Sequence, residues 1–134
     1  MKLLIFHLGN QEYAITIENV LSIEKIGEIM NYSKNPYIDG LAEFRGRTSA
    51  VINLKAILTI QEDLQKVNND NIILCDFKSE WLGLRVDGVR NLLDIEEESI
   101  QTIINQPEFV RGVFMEDDRA ILLLDVEKLI QSIQ

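Results

Sequence analysis

The sequence predicts an all-β protein, barrel or sandwich, built from two copies of one pattern of about five short strands and a helical turn. Three observations carry that expectation. Apolar residues recur with period two in short runs, the spacing of half-buried strands. Turn-forming residues interrupt the runs every few positions, as at Gly9-Asn10, Lys78-Ser79-Glu80 and Glu116-Asp117-Asp118, the punctuation of barrels and sandwiches. The third observation is a repeat. Gly40 to Leu58 aligns without a gap on Gly112 to Ile130 at a shift of 72, so that Gly40 meets Gly112, Arg47 meets Arg119, Asn53 meets Asp125 and Ile57-Leu58 meets Leu129-Ile130. A shift of 69 pairs Ile15 with Leu84, Ile17 with Val86 and Val20 with Val89. The copies span about 1–67 and 68–134. Half-chains of that size are marginal alone, so the two halves are expected to pack together within one domain and leave a groove between them.

Each element follows from local chemistry. Lys2 to Leu8 is a strand with Leu4, Phe6 and Leu8 on one face, and Gly9-Asn10 is a tight turn in which glycine supplies positive φ. Gln11 to Ile17 alternates, Glu18-Asn19 breaks it, and Val20 to Ile23 resumes as strand. Residues 27–39 carry Gly27, Asn31, Asn35 and Pro36 and read as a long loop. After Arg45-Gly46 comes a strand-like run from Arg47 to Ile52, and Asn53 stands as the N-cap of a helical turn. Residues 59–71, rich in Asn and Asp, read as an exposed connection. The second half replays this: strands at Asn71 to Phe77, Trp81 to Val86 and Arg90 to Ile95, an acidic turn and loop from Glu96 to Ile104, then strands at Arg111 to Met115 and Arg119 to Leu124. In the last helix Val126, Leu129, Ile130 and Ile133 form one apolar stripe, with Asp125 as its cap.

Composition bounds the function. A net charge of −9 argues against nucleic acid and against an anionic membrane surface. The charge is uneven: residues 1–67 hold seven basic and eight acidic residues, residues 68–134 six and fourteen. A contact steered by the second half would favour a basic partner, unless the acid merely solvates the surface. The single cysteine, Cys75, excludes an internal disulfide and fits a reducing compartment. The N-terminal apolar run is too short for a signal peptide, and no run approaches the roughly 18 apolar residues of a membrane helix. A soluble cytoplasmic protein is expected.

Little suggests an enzyme. His7, the one histidine, lies in the first strand between Phe6 and Leu8 and reads as a strand-face residue with a local hydrogen bond. One His and one Cys form no zinc site of usual spacing, and no nucleophile elbow, Walker loop or dinucleotide fingerprint is present. Asp117-Asp118 reads as hairpin chemistry rather than a carboxylate pair, Glu96-Glu97-Glu98 as a solvated turn, and Cys75 as a small core residue. No cofactor or metal is implied. Arg45-Gly46 is the most suggestive pair. Its glycine lets another backbone approach and its guanidinium offers a planar fork of donors; an internal ion pair that fixes the loop is the competing reading. Gly40 is either a forced backbone angle or room for a partner.

The chain as a whole resembles the CheW-like domain, the coupling module of bacterial chemotaxis. The likeness rests on Phe6-His7-Leu8-Gly9 with Glu12-Tyr13-Ala14-Ile15, on Glu18 to Ile23, on Pro36 to Leu41, on Phe44-Arg45-Gly46, on Ala50 to Leu54, on Leu82 to Val89 and on Arg119 to Leu129. It implies two packed five-stranded SH3-like barrels around a shared core. It further implies a non-enzymatic adaptor linking the cytoplasmic tips of methyl-accepting chemoreceptors to the regulatory domain of a CheA-type histidine kinase. The family's receptor-binding groove positions fall on Val20, Gly40, Arg45 and Gly46. Departures are Ala50, where the family often has Pro, Asn53, where it usually has Asp, and the absence of a proline-rich pattern from Gly27 to Asn35. They bear on which receptor and kinase are recognised, and a paralogue serving another chemosensory pathway fits them too. An unrelated ligand- or peptide-binding β-barrel, and an enzyme with an unrecognised site, are the rival classes.

Overall fold

A computed structural model describes residues 1–31, 34–58 and 71–133. The connection expected at 59–71 lies outside them, apart from Asn71. Ten strands fall in chain order: β1 (Lys2–Leu8), β2 (Gln11–Thr16), β3 (Val20–Lys25), β4 (Ile38–Phe44), β5 (Arg47–Asn53), β6 (Asn71–Phe77), β7 (Glu80–Val86), β8 (Gly88–Asp94), β9 (Val110–Glu116) and β10 (Arg119–Leu124). Among the described residues two α-helices accompany them, α1 (Leu54–Ile57) and α2 (Val126–Ile133). Single 3₁₀ turns occupy Ile17–Asn19 and Glu97–Ser99, where a strand break and an acidic turn were expected.

The strands form two five-stranded sheets, in the orders β8-β1-β2-β10-β9 and β3-β6-β7-β5-β4. Under the repeat, β1 to β5 correspond to β6 to β10, and the two orders become identical. The halves are nevertheless not the packing units. The compact units are 1–18 with 89–134, and 19–88. Each takes two strands of one copy and three of the other, so the expectation that residues 1–67 pack as a body on 68–134 is corrected. The reason is the parallel pairing of β10 with β2 and of β5 with β7. It exchanges the hairpins β1–β2 and β6–β7 between copies.

Each sheet closes on itself through a backbone bridge between its edges. In the 19–88 unit, Met30, beyond β3, exchanges both hydrogen bonds with Leu41 of β4 (2.8 and 2.9 Å). In the other unit, Gln101, beyond β8, does the same with Val113 of β9 (2.8 and 2.9 Å). Closure of this kind removes exposed edges. Gly40 and Gly112 make it possible. A methyl group on Gly40 would lie 2.2 Å from the Met30 carbonyl oxygen, and one on Gly112 2.5 Å from that of Gln101. Side-chain caps end the two equivalent strands: Asn53 accepts from the Ala56 N–H at 3.2 Å and Asp125 from the Lys128 N–H at 3.1 Å.

The interiors use the same positions with different volumes. One core holds Leu3, Ile5, Ala14, Phe114, Ile121 and Leu123. Its counterpart holds Ile72, Leu74, Ala42, Val51 and Phe44. Where the first has Ala14, Phe114 and Ile121, the second has Gly83, Ala42 and Ser49. The lost volume is filled by Phe44, whose ring would sit 3.3 Å from a methyl group on Gly83. The Ser49 hydroxyl is buried with no hydrogen-bond partner among the described residues. An unmet hydroxyl of that kind costs about 1–3 kcal/mol. Ser49→Ala should therefore raise stability by about 1 kcal/mol, read as a higher denaturant midpoint with an unchanged slope.

Candidate interaction site

All four residues expected at the site, Val20, Gly40, Arg45 and Gly46, lie in the 19–88 unit. Arg45 and Gly46 are the two central residues of the β4–β5 hairpin, flanked by the Phe44–Arg47 pair. Both are left-handed, with φ of 51° and 80°, as a type I′ turn requires. Such turns favour Asn, Asp or Gly. Gly46 satisfies the rule and faces open space, but an arginine in that conformation carries a steric cost of about 1–2 kcal/mol. The turn does not call for Arg45, which points to its guanidinium. The side chain keeps 55% of its surface exposed and sits 3.7 Å from the Glu24 carboxylate on β3. The ion pair envisaged from sequence thus exists, but it is long and open to solvent.

Gly40 and Val20 are placed differently. Gly40 is buried with φ of 152° and is occupied by the approach of Met30, which accounts for its glycine internally. Val20 opens β3 opposite Cys75, and a bulge separates it from Ser22. Paired residues share a face, and Leu74 and Ile72 face the barrel interior. Val20 therefore lies on the other side of β3 from Glu24, the partner of Ile72. The structure joins Arg45 to Gly46 at one tip, and Gly40 lies further along β4, opposite Val51. Cys75 is buried, and burial pushes its thiol pKa up to about 12, far from a nucleophile's range. His7 is exposed, 3.4 Å from the Gly9 carbonyl. Among the described residues no three Asp, Glu, His or Cys side chains converge as a metal-ligand set, and no helix is long and apolar enough to cross a membrane.

Sequence reasoning missed what lies beside the tip. The Arg47 guanidinium stacks over the Trp81 ring, 4.1 Å from its centroid, and donates to the Ser79 carbonyl at 2.7 Å. Trp81 packs on the core. The repeat shows how particular this barrel end is. Phe44, Arg47 and Trp81 correspond to Glu116, Arg119 and Glu12. In the other unit these are joined by Arg90 into a ring of four alternating charges. Glu12 meets Arg90 at 2.7 Å and Arg119 at 2.6 Å, and Glu116 meets them at 2.9 and 3.1 Å. Burial works against the Arg90 charge, but the Glu116 hydrogen bond and the charges of Glu12 and Glu116 outweigh it and raise its pKa. Glu12, Glu116 and Arg119 each lie two residues from a core position, Ala14, Phe114 and Ile121, and so point to the core side of their strands. One barrel end is stoppered by ions, its counterpart by an aromatic ring under a guanidinium. The alignment of Glu12 with Trp81 could have revealed this, had the shift of 69 been followed through those positions.

Fold and site together define a duplicated, closed β-barrel protein, one barrel end of which carries Arg45 at a hairpin tip and the Arg47 guanidinium over Trp81. The comparisons make the class specific. The CheW-like domain model matches residues 2–134. The chemotaxis protein CheW of Klebsiella aerogenes is 30% identical over 135 residues, covering 96% of this chain and 81% of that protein. The chemotaxis protein CheW of Thermotoga maritima is 29% identical, covering 98% and 89%. The crystal structure of the scaffolding protein TtCheW from Thermoanaerobacter tengcongensis superposes with a TM-score of 0.84 at 27% identity, covering 96% of this chain and 86% of that one. The chain belongs to the CheW-like domain family, and its pair of five-stranded sheets is that family's fold.

Proposed function

We propose that this chain is a non-enzymatic, cytoplasmic adaptor of bacterial chemotaxis, coupling chemoreceptor tips to the regulatory domain of a CheA-type histidine kinase. The observation that carries the reading is the family match along residues 2–134, supported by relatives named as chemotaxis and scaffolding proteins. Residues 1–134 act as one CheW-like domain. An adaptor needs presented surface rather than tuned ionisation, and the Arg45-Gly46 tip supplies it. Gly46 leaves room for close approach, and Arg45 orients a polar group or carboxylate of the receptor's helical hairpin by its fork of donors. Val20 adds apolar contact. Gly40 acts as a positioning residue, since it admits Met30 beside β4 and so sets the course of the strand that carries the tip.

The test is Arg45→Glu. Capture of a receptor-tip fragment should be lost, while the melting temperature moves by no more than about 4 °C. An exposed pair such as Arg45–Glu24 is worth about 1 kcal/mol or less. Undiminished capture overturns the site. A large fall in melting temperature makes Arg45 a structural residue instead. Capture of the kinase regulatory domain, measured alongside, should persist.

A further inference from the structure

The two barrels differ where β4 and β9 begin. Ile38 pairs with Ile52 and Gly40 with Val51, so Asp39 is an extra residue bulged out of β4. In the other unit Val110 pairs with Leu124 and Gly112 with Leu123, so the bulge falls on Arg111 at the equivalent place. A bulge re-aims the side chain it carries. Asp39 is held from two directions. One carboxylate oxygen accepts from the Arg85 guanidinium at 2.7 Å, and the other from the Asn53 side-chain amide at 3.2 Å. Arg111 has no such clasp. It is exposed, and Thr16 and Asp125 stand where the first barrel has Arg85 and Asn53. The glycines that follow differ in step. Gly40 holds φ at 152°, whereas Gly112 has no positive φ, although both admit the same kind of bridge. A sparsely populated backbone conformation persists only where its surroundings over-determine it. Gly40 is tied on one side through Asp39 and on the other through the two Met30–Leu41 hydrogen bonds.

We propose that Asp39 is a positioning residue of the receptor site, a role that rests on the receptor reading of the Arg45-Gly46 tip. Its clasp holds the bulge, and the bulge holds Gly40 in its conformation. Gly40 in turn admits Met30 beside the strand that ends in the tip. Arg85 supplies the charge-assisted bond, the stronger of the two. Asn53 serves twice: its oxygen accepts from the Ala56 N–H to cap α1, and its amide donates to Asp39. An aspartate at 53 would cap as well. It would also replace the donor, 3.2 Å from the Asp39 carboxylate, by a second anion. The acid at 39 and the amide at 53 are therefore one choice, and Asn53 answers to its neighbour across the bulge.

Two variants test this. Asp39→Asn removes the charge at nearly constant size. Asp39→Asn with Asn53→Asp exchanges amide and carboxylate, and keeps an acid beside Arg85 because positions 53 and 85 are paired across β5 and β7. Asp39→Asn should weaken capture of the receptor-tip fragment about tenfold, the worth of one charge-assisted hydrogen bond. It should quicken exchange of the Met30 and Leu41 amides by a similar factor and leave capture of the kinase regulatory domain unchanged. The double variant should restore both the receptor capture and the amide protection. Native amide exchange in Asp39→Asn, native receptor capture despite quickened exchange, loss of both captures together, or a double variant no better than the single one would each overturn the proposal. A native chain that fails to capture the receptor-tip fragment overturns the receptor reading itself. The amide exchange needs no partner, and it still decides whether Asp39 holds the bridge.

Discussion

Replacing Gly40 with alanine should destabilise the protein by about 3–5 kcal/mol, the largest effect expected of any single methyl group in this chain. Two costs combine. The backbone holds φ at 152°, a region L-residues avoid, at roughly 1–3 kcal/mol. The new methyl would also lie 2.2 Å from the Met30 carbonyl oxygen and 2.8 Å from Ile29 Cγ2. That oxygen cannot retreat freely, because it accepts the Leu41 N–H at 2.9 Å. Forcing it out breaks the bridge that closes the sheet and adds about 1–3 kcal/mol of overpacking. Gly112→Ala is the control. It meets the same steric obstacle, 2.5 Å from the Gln101 oxygen, without a left-handed backbone, and should cost about 2 kcal/mol less than Gly40→Ala. Thermal unfolding of both variants checks the pair. Equal losses would mean that the Gly40 backbone relaxes and only the contact matters.

The same glycines show what was legible beforehand. Gly40 and Gly112 stand in register because both barrels close by the same bridge, so the repeat at a shift of 72 recorded a real structural requirement. Strand positions were readable for the same reason: Phe114, Ile121 and Leu123, or Ile72 and Leu74, alternate inward with period two. The caps at Asn53 and Asp125 were readable from local chemistry. What was not readable is which copy a strand joins. Parallel pairing of β5 with β7 and β10 with β2 leaves no turn residue to mark it, so the exchange of hairpins between copies was hidden. The compensation between Ser49, Gly83 and Phe44 was hidden as well. Each looks unremarkable alone, and only the fold shows one ring filling space that smaller residues vacate. Arg45-Gly46 was visible as a suggestive pair, but its left-handed strain, which gives the arginine its meaning, depends on a backbone angle.

Glu12→Gln should cost about 1–3 kcal/mol and loosen the edge strands of the 1–18 and 89–134 unit. Breaking a buried ion pair costs about 3–5 kcal/mol, but the guanidinium groups of Arg90 and Arg119 are 32% and 43% exposed, and solvent screening reduces the figure. The substitution leaves two cations facing Glu116 alone, in a ring where every carboxylate serves both arginines. Arg90 belongs to β8 and Glu116 to β9, the two edges of the sheet, so the ring supplements the Gln101–Val113 bridge in holding the barrel shut. Amide exchange should accordingly quicken in β8 and β9 while β6 and β7, in the other unit, keep their protection. Adding Glu116→Phe, to copy the aromatic end of the other barrel, should not rescue the loss. There the ring of Phe44 enters space left by Ala42, Ser49 and Gly83; here Phe114, Ile121 and Ala14 already fill it, and the new ring would remain in solvent. Rescue by Glu116→Phe would show that the stopper and the core vary independently, against the coupling inferred from the repeat.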